Sequence, residues 1–237
     1  ILSLSDEEMA MIEEAKANFD KVIVLVNATN PMEIANLKDD PDIDAIVWIG
    51  FPGAYGFYGV ADVLNGTVSP SAHLGDVMAK NSALAPAMAN YGNIPWTNAA
   101  DFAADANVNS YLIEAEGIYA GYRYYETANV PVRFPFGYGL SYATFTYSNL
   151  TADETGVQFT VTNDSDVPGA TVAQLYVTGP SDGVLRPARE LKGFAKVQLD
   201  AHESKTVRIE FDRYTFRHFD TAANAWRTES GVWTLAV

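Results

Sequence analysis

Two kinds of apolar pattern divide this 237-residue sequence, and the first is the more restrictive. Lys21 opens the run Val22-Ile23-Val24-Leu25-Val26, and Asp42 to Asp44 precede Ala45-Ile46-Val47-Trp48-Ile49-Gly50. Unbroken β-branched and aliphatic runs of this length suit strands covered on both faces, as in a parallel sheet. Helical signals separate them. Ser5 with Glu8 three residues on forms a capping-box pattern, with Asp6, Glu7 and Glu8 at the positive end of a helix. Met9, Ile12 and Phe19 then recur at helical spacing. Asn30-Pro31 with Glu33 predicts a second helix, with cap, proline at the first position and an acid in the first turn. A third is expected from Gly56 to Leu64, ending at Asn65-Gly66. Strand and helix in alternation indicate a parallel α/β sheet.

Two or three parallel strands make a poor sheet alone, because one edge and part of a face stay apolar and open. The missing strands are expected before Ile1, and a chain that starts at Ile1 without Met reads as a piece of something longer. From Thr67 to about Ala115 the pattern lapses into Asn, Ala, Ser and Pro, too long for an ordinary connection. From about Phe145 the rhythm becomes period two. Val157-Gln158-Phe159-Thr160-Val161-Thr162 alternates, and Asn163-Asp164-Ser165-Asp166 is a turn. The same rhythm returns over Val172 to Thr178, Arg208 to Phe211 and Val232 to Val237. Roughly seven short strands in this space predict an immunoglobulin-like or fibronectin type III-like β-sandwich. The expected fold class is therefore α/β followed by all-β.

Charge narrows the partners. Thirty acidic and fifteen basic residues give a formal charge of −15, which repels phosphate backbones and anionic lipid. No nucleic-acid and no membrane partner is expected; a neutral substrate such as a sugar fits better. There is no cysteine, which removes disulfides, thiolate zinc sites and cysteine nucleophiles. No basic segment followed by an apolar stretch stands at the N-terminus, so a cytoplasmic location is the expectation. His73, His202 and His218 lie far apart, and no metal-ligand spacing occurs. The glycines between Gly50 and Gly59 lack dinucleotide or phosphate-loop spacing. The glycosylation-type sequons at Asn27, Asn65, Asn149 and Asn163 are read as incidental.

Three stretches carry a resemblance. The first is Glu116-Gly117-Ile118-Tyr119-Ala120-Gly121-Tyr122-Arg123-Tyr124-Tyr125-Glu126 with Phe134-Pro135-Phe136-Gly137-Tyr138-Gly139-Leu140-Ser141-Tyr142. The second is Asp62-Val63-Leu64 with Gly66 and Ser69-Pro70-Ser71, and the third is Glu190-Leu191-Lys192-Gly193-Phe194 with Lys196-Val197. Together, and in this order, they resemble family 3 glycoside hydrolases of β-glucosidase type. Two departures stand out: Ala72-His73-Leu74 where the family has Gly-Arg-Leu, and Pro52-Gly53-Ala54-Tyr55-Gly56 where it has "PGQEG".

The resemblance implies the C-terminal part of the family's α/β sandwich domain in residues 1–125, with the irregular segment 67–115. It implies a junction in 126–144 and a fibronectin type III-like domain in 145–237. It also implies a retaining, exo-acting β-glycosidase that needs no cofactor and acts on oligosaccharide or β-glucoside substrates. Family members use an Asp nucleophile on a separate barrel domain and a Glu acid/base, about 5–5.5 Å apart. The Glu usually sits shortly before the segment aligning with Leu2-Ser3-Leu4-Ser5, so no catalytic residue is expected here and the isolated chain should be inactive. Its expected partners are the barrel domain, the N-terminal half of the sandwich domain and, through the exposed sheet, other copies of itself.

Several side chains invite a role. Glu116 reads as a carboxylate fixing a domain junction, with Arg123 as its partner, rather than as a catalytic acid. Tyr119, Tyr122, Tyr124 and Tyr125 read as interface core rather than as sugar-stacking platforms. The loop Phe51 to Tyr58 follows the C-terminal end of a buried strand, where open α/β sheets bind ligands. Phe51, Tyr55 and Phe57 are therefore the substrate-contact candidates. The alternative from another class is a stand-alone carbohydrate-binding or protein-interaction module. Such a module should protect its sheet edges, and the Val22–Val26 and Ala45–Ile49 runs carry no such protection.

Overall fold

The computed structural model describes residues 2–89, 91, 114, 116–181 and 183–237. Helix α1 (Asp6–Asn18) starts as its sequence predicts. Ser5 Oγ accepts from Glu8 N–H at 3.2 Å while Glu8 returns to Ser5 N–H at 2.8 Å, closing the capping box. Strand β1 (Ile23–Val26) follows, then α2 (Ala35–Asp39), β2 (Ala45–Trp48) and α3 (Gly56–Leu64). β1 and β2 pair in parallel, Ile23 opposite Ala45 through Val26 opposite Trp48. Lys16 Nζ reaches Asp40 Oδ2 at 2.7 Å and so ties α1 to the end of α2. Its pKa is pushed up to about 12 by the hydrogen bonds to Asp40 and then Glu13.

The second helix starts later than Asn30-Pro31-x-Glu33 predicts. Glu33 N–H donates to Leu2 O at 2.9 Å in a parallel bridge with Ser3, and its carboxylate accepts from Ser82 N–H and Oγ–H. Extended pairing at Glu33 forbids the helical turn there, and α2 opens at Ile34 without a side-chain cap. Phe19 also departs from its expected place: it is the C-cap of α1 and lies exposed.

The β1–β2 sheet is covered on one face only. Val24, Val26, Ile46 and Trp48 join Ile12, Ile34, Leu37 and Met78 in one cluster. On the other face Ile23 is 49 % and Leu25 39 % exposed. The expectation of strands buried on both faces therefore holds for one face within this chain. Helix α3 is amphipathic in composition yet buries none of its residues fully.

Beyond α3, β3 (Met78–Ala79), a 3₁₀ turn (Ser82–Leu84), α4 (Pro86–Ala89), α5 (Tyr122–Thr127) and β4 (Val132–Phe134) complete the first part. β3 pairs antiparallel with β4, bringing residues some fifty positions apart together. Most of the irregular segment expected at 67–115 lies outside the described residues.

The remaining strands are β5 (Phe145–Ala152), β6 (Gly156–Asn163), β7 (Gly169–Thr178), β8 (Glu190–Leu199), β9 (Ser204–Glu210), β10 (His218–Asp220), β11 (Ala225–Arg227) and β12 (Thr234–Ala236). Two antiparallel sheets, ordered β5-β6-β9 and β12-β7-β8, face each other, and β10–β11 forms a separate hairpin. The period-two alternation places Val157, Phe159 and Val161 of one sheet against Ala173, Leu175 and Val177 of the other. This is the sandwich the sequence predicts.

Asn163 caps its core. Fully buried, it donates through Nδ2 to Val167 O at 2.8 Å and Asp200 O at 3.0 Å, and Oδ1 accepts from Ser165 N–H at 3.0 Å. A sequon asparagine engaged in this way has no room for a glycan. Asn163→Ala removes all three bonds and strands buried backbone groups. It should cost about 2–4 kcal/mol in urea unfolding, and a loss below about 0.5 kcal/mol would contradict this role.

Candidate functional site

The chemistry-bearing side chains gather in two places, the loop after β2 and the junction between the α/β part and the sandwich. Both parallel strands point their C-terminal ends toward the loop. Trp48 Nε1–H donates to Ala28 O at 2.7 Å and Ile49 N–H to Val26 O at 3.0 Å, which fixes the exit of β2. Phe51, Tyr55 and Phe57 then stand 81 %, 81 % and 51 % exposed. They share one loop and the first turn of α3, and no ring contact joins them among the described residues. A row of uncovered aromatic side chains at this end of an open α/β sheet is an available surface.

The junction is built on α5. The Tyr122 ring stacks on Phe136 at 4.7 Å and meets Tyr176 of β7 edge-on at 6.1 Å, while its hydroxyl accepts from Leu191 N–H of β8 at 2.7 Å. One turn on, Glu126 accepts from Nε and Nη2 of Arg189, both at 2.6 Å, and Thr127 Oγ1 accepts from Ala188 N–H at 2.8 Å. The Arg189 guanidinium lies 4.4 Å from the Tyr176 ring centroid. Its hydrogen bonds to Glu126 raise the Arg189 pKa, and burial pushes Tyr176 up to about 12. Arg189 thus serves a carboxylate and an aromatic face together, which a point-charge ammonium does poorly.

The same segment is laced to the loop after α3. Leu74 N–H donates to Tyr138 O and Gly137 N–H to Leu74 O, each at 2.8 Å. Tyr142 Oη–H donates to Val63 O at 2.7 Å, and Ser69 and Ser141 hydroxyls meet at 2.8 Å. Gly137 has φ +79°, and a Cβ there would run into the Gln174 carboxamide. Gly137 permits close passage of backbone against the sandwich, and Gly139 does the same against Ala72 and His73.

Glu116 and Arg123 do not form the junction pair expected of them. Glu116 Oε2 and Arg123 Nε are both buried without a hydrogen bond, and no ion pair joins the two among the described residues. The junction pair is Glu126–Arg189. Of the tyrosines, Tyr122 and Tyr125 are packed, Tyr125 being buried and edge-on to Tyr124 at 5.4 Å. Arg189 had no local signal; its role comes from sheet pairing that brings β8 beside α5.

Seven carboxylates are shifted in the same direction. Glu33, Asp40, Asp44, Asp153, Glu203, Asp212 and Asp220 are all held below the usual range, in each case chiefly by a hydrogen bond donated to the carboxylate. A general acid at neutral pH needs the opposite shift. His73 is lowered, by burial first, and its Nδ1 has no hydrogen bond. No cluster of three or more metal-ligating side chains occurs among the described residues. A groove of about 560 Å³ runs between the junction and β7, and a smaller cavity of about 250 Å³ lies by Glu116 and Tyr125.

An open α/β layer clamped to a fibronectin-like sandwich is the architecture these contacts define, and sequence and structural comparison agree with it. Residues 1–142 match the glycosyl hydrolase family 3 C-terminal domain, and residues 171–237 match a fibronectin type III-like domain. The chain belongs to glycosyl hydrolase family 3. It is 34 % identical to an exo-alpha-(1->6)-L-arabinopyranosidase of Bifidobacterium longum, with all of this chain and 30 % of the relative covered. It is 33 % identical to thermostable beta-glucosidase B of Acetivibrio thermocellus over the same shares. Among solved structures, a beta-glucosidase from Chaetomella raphigera superposes with a TM-score of 0.85 at 31 % identity, covering 99 % of this chain and 34 % of that one. The family 3 beta-glucosidase of Bifidobacterium adolescentis gives 0.85 and 31 %, with 99 % and 33 % covered. The chain therefore spans about a third of the length of these relatives.

Replacing Arg189 tests the clamp. Arg189→Lys keeps the charge and loses the fork, and thermal unfolding should show a loss of about 1 kcal/mol. A lysine variant as stable as the parent would show that the bidentate geometry contributes nothing.

Proposed function

We propose that this chain is the scaffold portion of a retaining, exo-acting β-glycosidase of β-glucosidase type, which hydrolyses terminal β-linked sugars as part of a longer protein. The observation that carries the reading is the two-stranded parallel sheet with Ile23 and Leu25 uncovered, in a chain that matches its relatives end to end over only a third of their length. A layer with one open apolar face supports the view that further polypeptide completes it. Double displacement at a glycosidic carbon requires two carboxyl groups about 5–5.5 Å apart. In this reading the nucleophile and the acid/base both come from outside the chain.

Residues 1–125 would then be the end of the α/β sandwich domain, 126–144 the junction and 145–237 the fibronectin-like domain. Phe51, Tyr55 and Phe57 would form part of the sugar-facing wall, offering ring faces to the C–H surface of a pyranose. The relatives' names differ in the sugar released, arabinopyranose in one and glucose in others. They differ in the named linkage too, alpha-(1->6) in the arabinopyranosidase, and the reading of terminal β-linked sugars follows the beta-glucosidases among them.

Assaying the isolated chain with an aryl β-glucoside should give no turnover above background, whereas hydrolysis would show that the carboxylate pair lies within these residues. The uncovered sheet face leads to a second expectation. Size-exclusion chromatography of the isolated chain should show self-association that increases with concentration. A monomer at every concentration would mean that the open face needs no cover.

A further inference from the structure

The loop after α3 meets the junction segment through a short backbone ladder. Leu74 N–H donates to Tyr138 O and Leu74 O accepts from Gly137 N–H, each at 2.8 Å. His73 stands immediately before Leu74, in the same seam. A Cβ added at Gly139 would collide with Ala72 O and come within 3.2 Å of His73 Cα and Cδ2. Backbone lies directly against backbone here, so the closed ladder fixes where the imidazole sits.

One nitrogen of that ring has no partner. His73 Nδ1 is buried and makes no hydrogen bond. The side chains beside it in the groove of about 560 Å³ include no Asp and no Glu, and the ionisable ones are Tyr147, Tyr176 and Arg189. Arg189 is already engaged by Glu126. Lys196 of β8 adds a repelling positive charge, and a backbone hydrogen bond with Ser71 favours the protonated ring. Burial is the largest influence, and the His73 pKa is lowered.

A neutral imidazole suits these surroundings, and an imidazolium does not. Protonation makes donors of both ring nitrogens. The proton at Nδ1 would be buried without an acceptor, and its charge would meet Lys196 and Arg189 with no carboxylate among the groove's side chains. Each of these costs free energy where water is scarce.

We infer that His73 is an acid-sensitive latch on the junction: the neutral ring lets the Leu74 ladder close, and protonation drives the ring out to water and opens the ladder. The opening is local, because the cluster at the centre of the sandwich, from Val157 and Phe159 to Val207 and Ile209, contains no ionisable side chain. A histidine whose pKa is lower in the closed form than its free value of about 6.5 leaves closure at full strength above that value. Below it, each pH unit weakens closure about tenfold until the pKa of the closed form is reached.

Amide hydrogen exchange on this chain, corrected for its intrinsic pH dependence, reads the latch at Leu74 and Gly137. Protection of these two amides should fall about tenfold between about pH 7 and pH 5, while Phe159 and Leu175 keep theirs. In His73→Gln, which does not titrate, protection at Leu74 and Gly137 should stay level over the same range. An NMR titration of the parent should place the His73 ring below about 6.5. Lys196→Gln, which leaves the ring in place, should raise that value and shrink the loss of protection. Protection independent of pH in the parent, an equal fall in His73→Gln, or a His73 ring that titrates at or above about 6.5 would overturn the latch. A parallel loss at Phe159 and Leu175 would overturn it as well, since acid would then be unfolding the chain as a whole.

Discussion

Helix α5 sets the relation between the parallel layer and the sandwich, and six residues suffice because each inward one meets a different partner. Tyr122 contributes ring area and a hydroxyl, Glu126 a carboxylate for the Arg189 fork, and Thr127 an acceptor for the β8 approach. A charged pair at a partly buried seam contributes little if its geometry is loose, since desolvation then offsets the attraction. Here the fork is bidentate and its far face is covered by the Tyr176 ring, so both the charge and the plane of Arg189 are used. Beside this seam, the junction segment is tied to the loop after α3 by the Leu74–Tyr138, Tyr142–Val63 and Ser69–Ser141 bonds and to β7 by Gln174 Nε2–H donating to Gly137 O.

The seam has a consequence for the loop after β2. That loop is anchored at its start by β2 and its neighbours, and the segment after α3 is held to the junction through Val63, Ser69 and Leu74. The helix that follows the exposed aromatic residues is thereby tied to the junction segment. The seven carboxylates held below the usual range are each engaged in structure, chiefly through a hydrogen bond they accept.

Much of the architecture was legible because its signals are local. The Ser5–Glu8 capping box, the Gly56–Leu64 helix and the alternation of Val157–Thr162 each name their own structure within a few residues. The readings that missed share a cause. Asn30-Pro31-x-Glu33 looks like a helix start, but Glu33 is taken by Leu2 and Ser82, partners about thirty and fifty residues away. Glu116 and Arg123 are close in sequence and invite pairing, yet the seam uses Glu126 with Arg189, sixty-three residues apart. Unbroken apolar runs reveal strands made to be covered without saying what covers them, and the part of a face expected to stay open is found at Ile23 and Leu25. The trio Phe51, Tyr55 and Phe57 is a candidate on strand polarity alone, and the groove along β7 has no local signal because it arises from a ladder register.

Backbone ¹⁵N relaxation on this chain, comparing amides of β1 and β2 with those of β6, β7 and β8, addresses the coupling through α5 most directly. A rigid seam predicts a single rotational correlation time for both groups, whatever the state of association. Two separate correlation times, with the sandwich tumbling faster than the parallel layer, would mean that α5 tethers the two parts without fixing them.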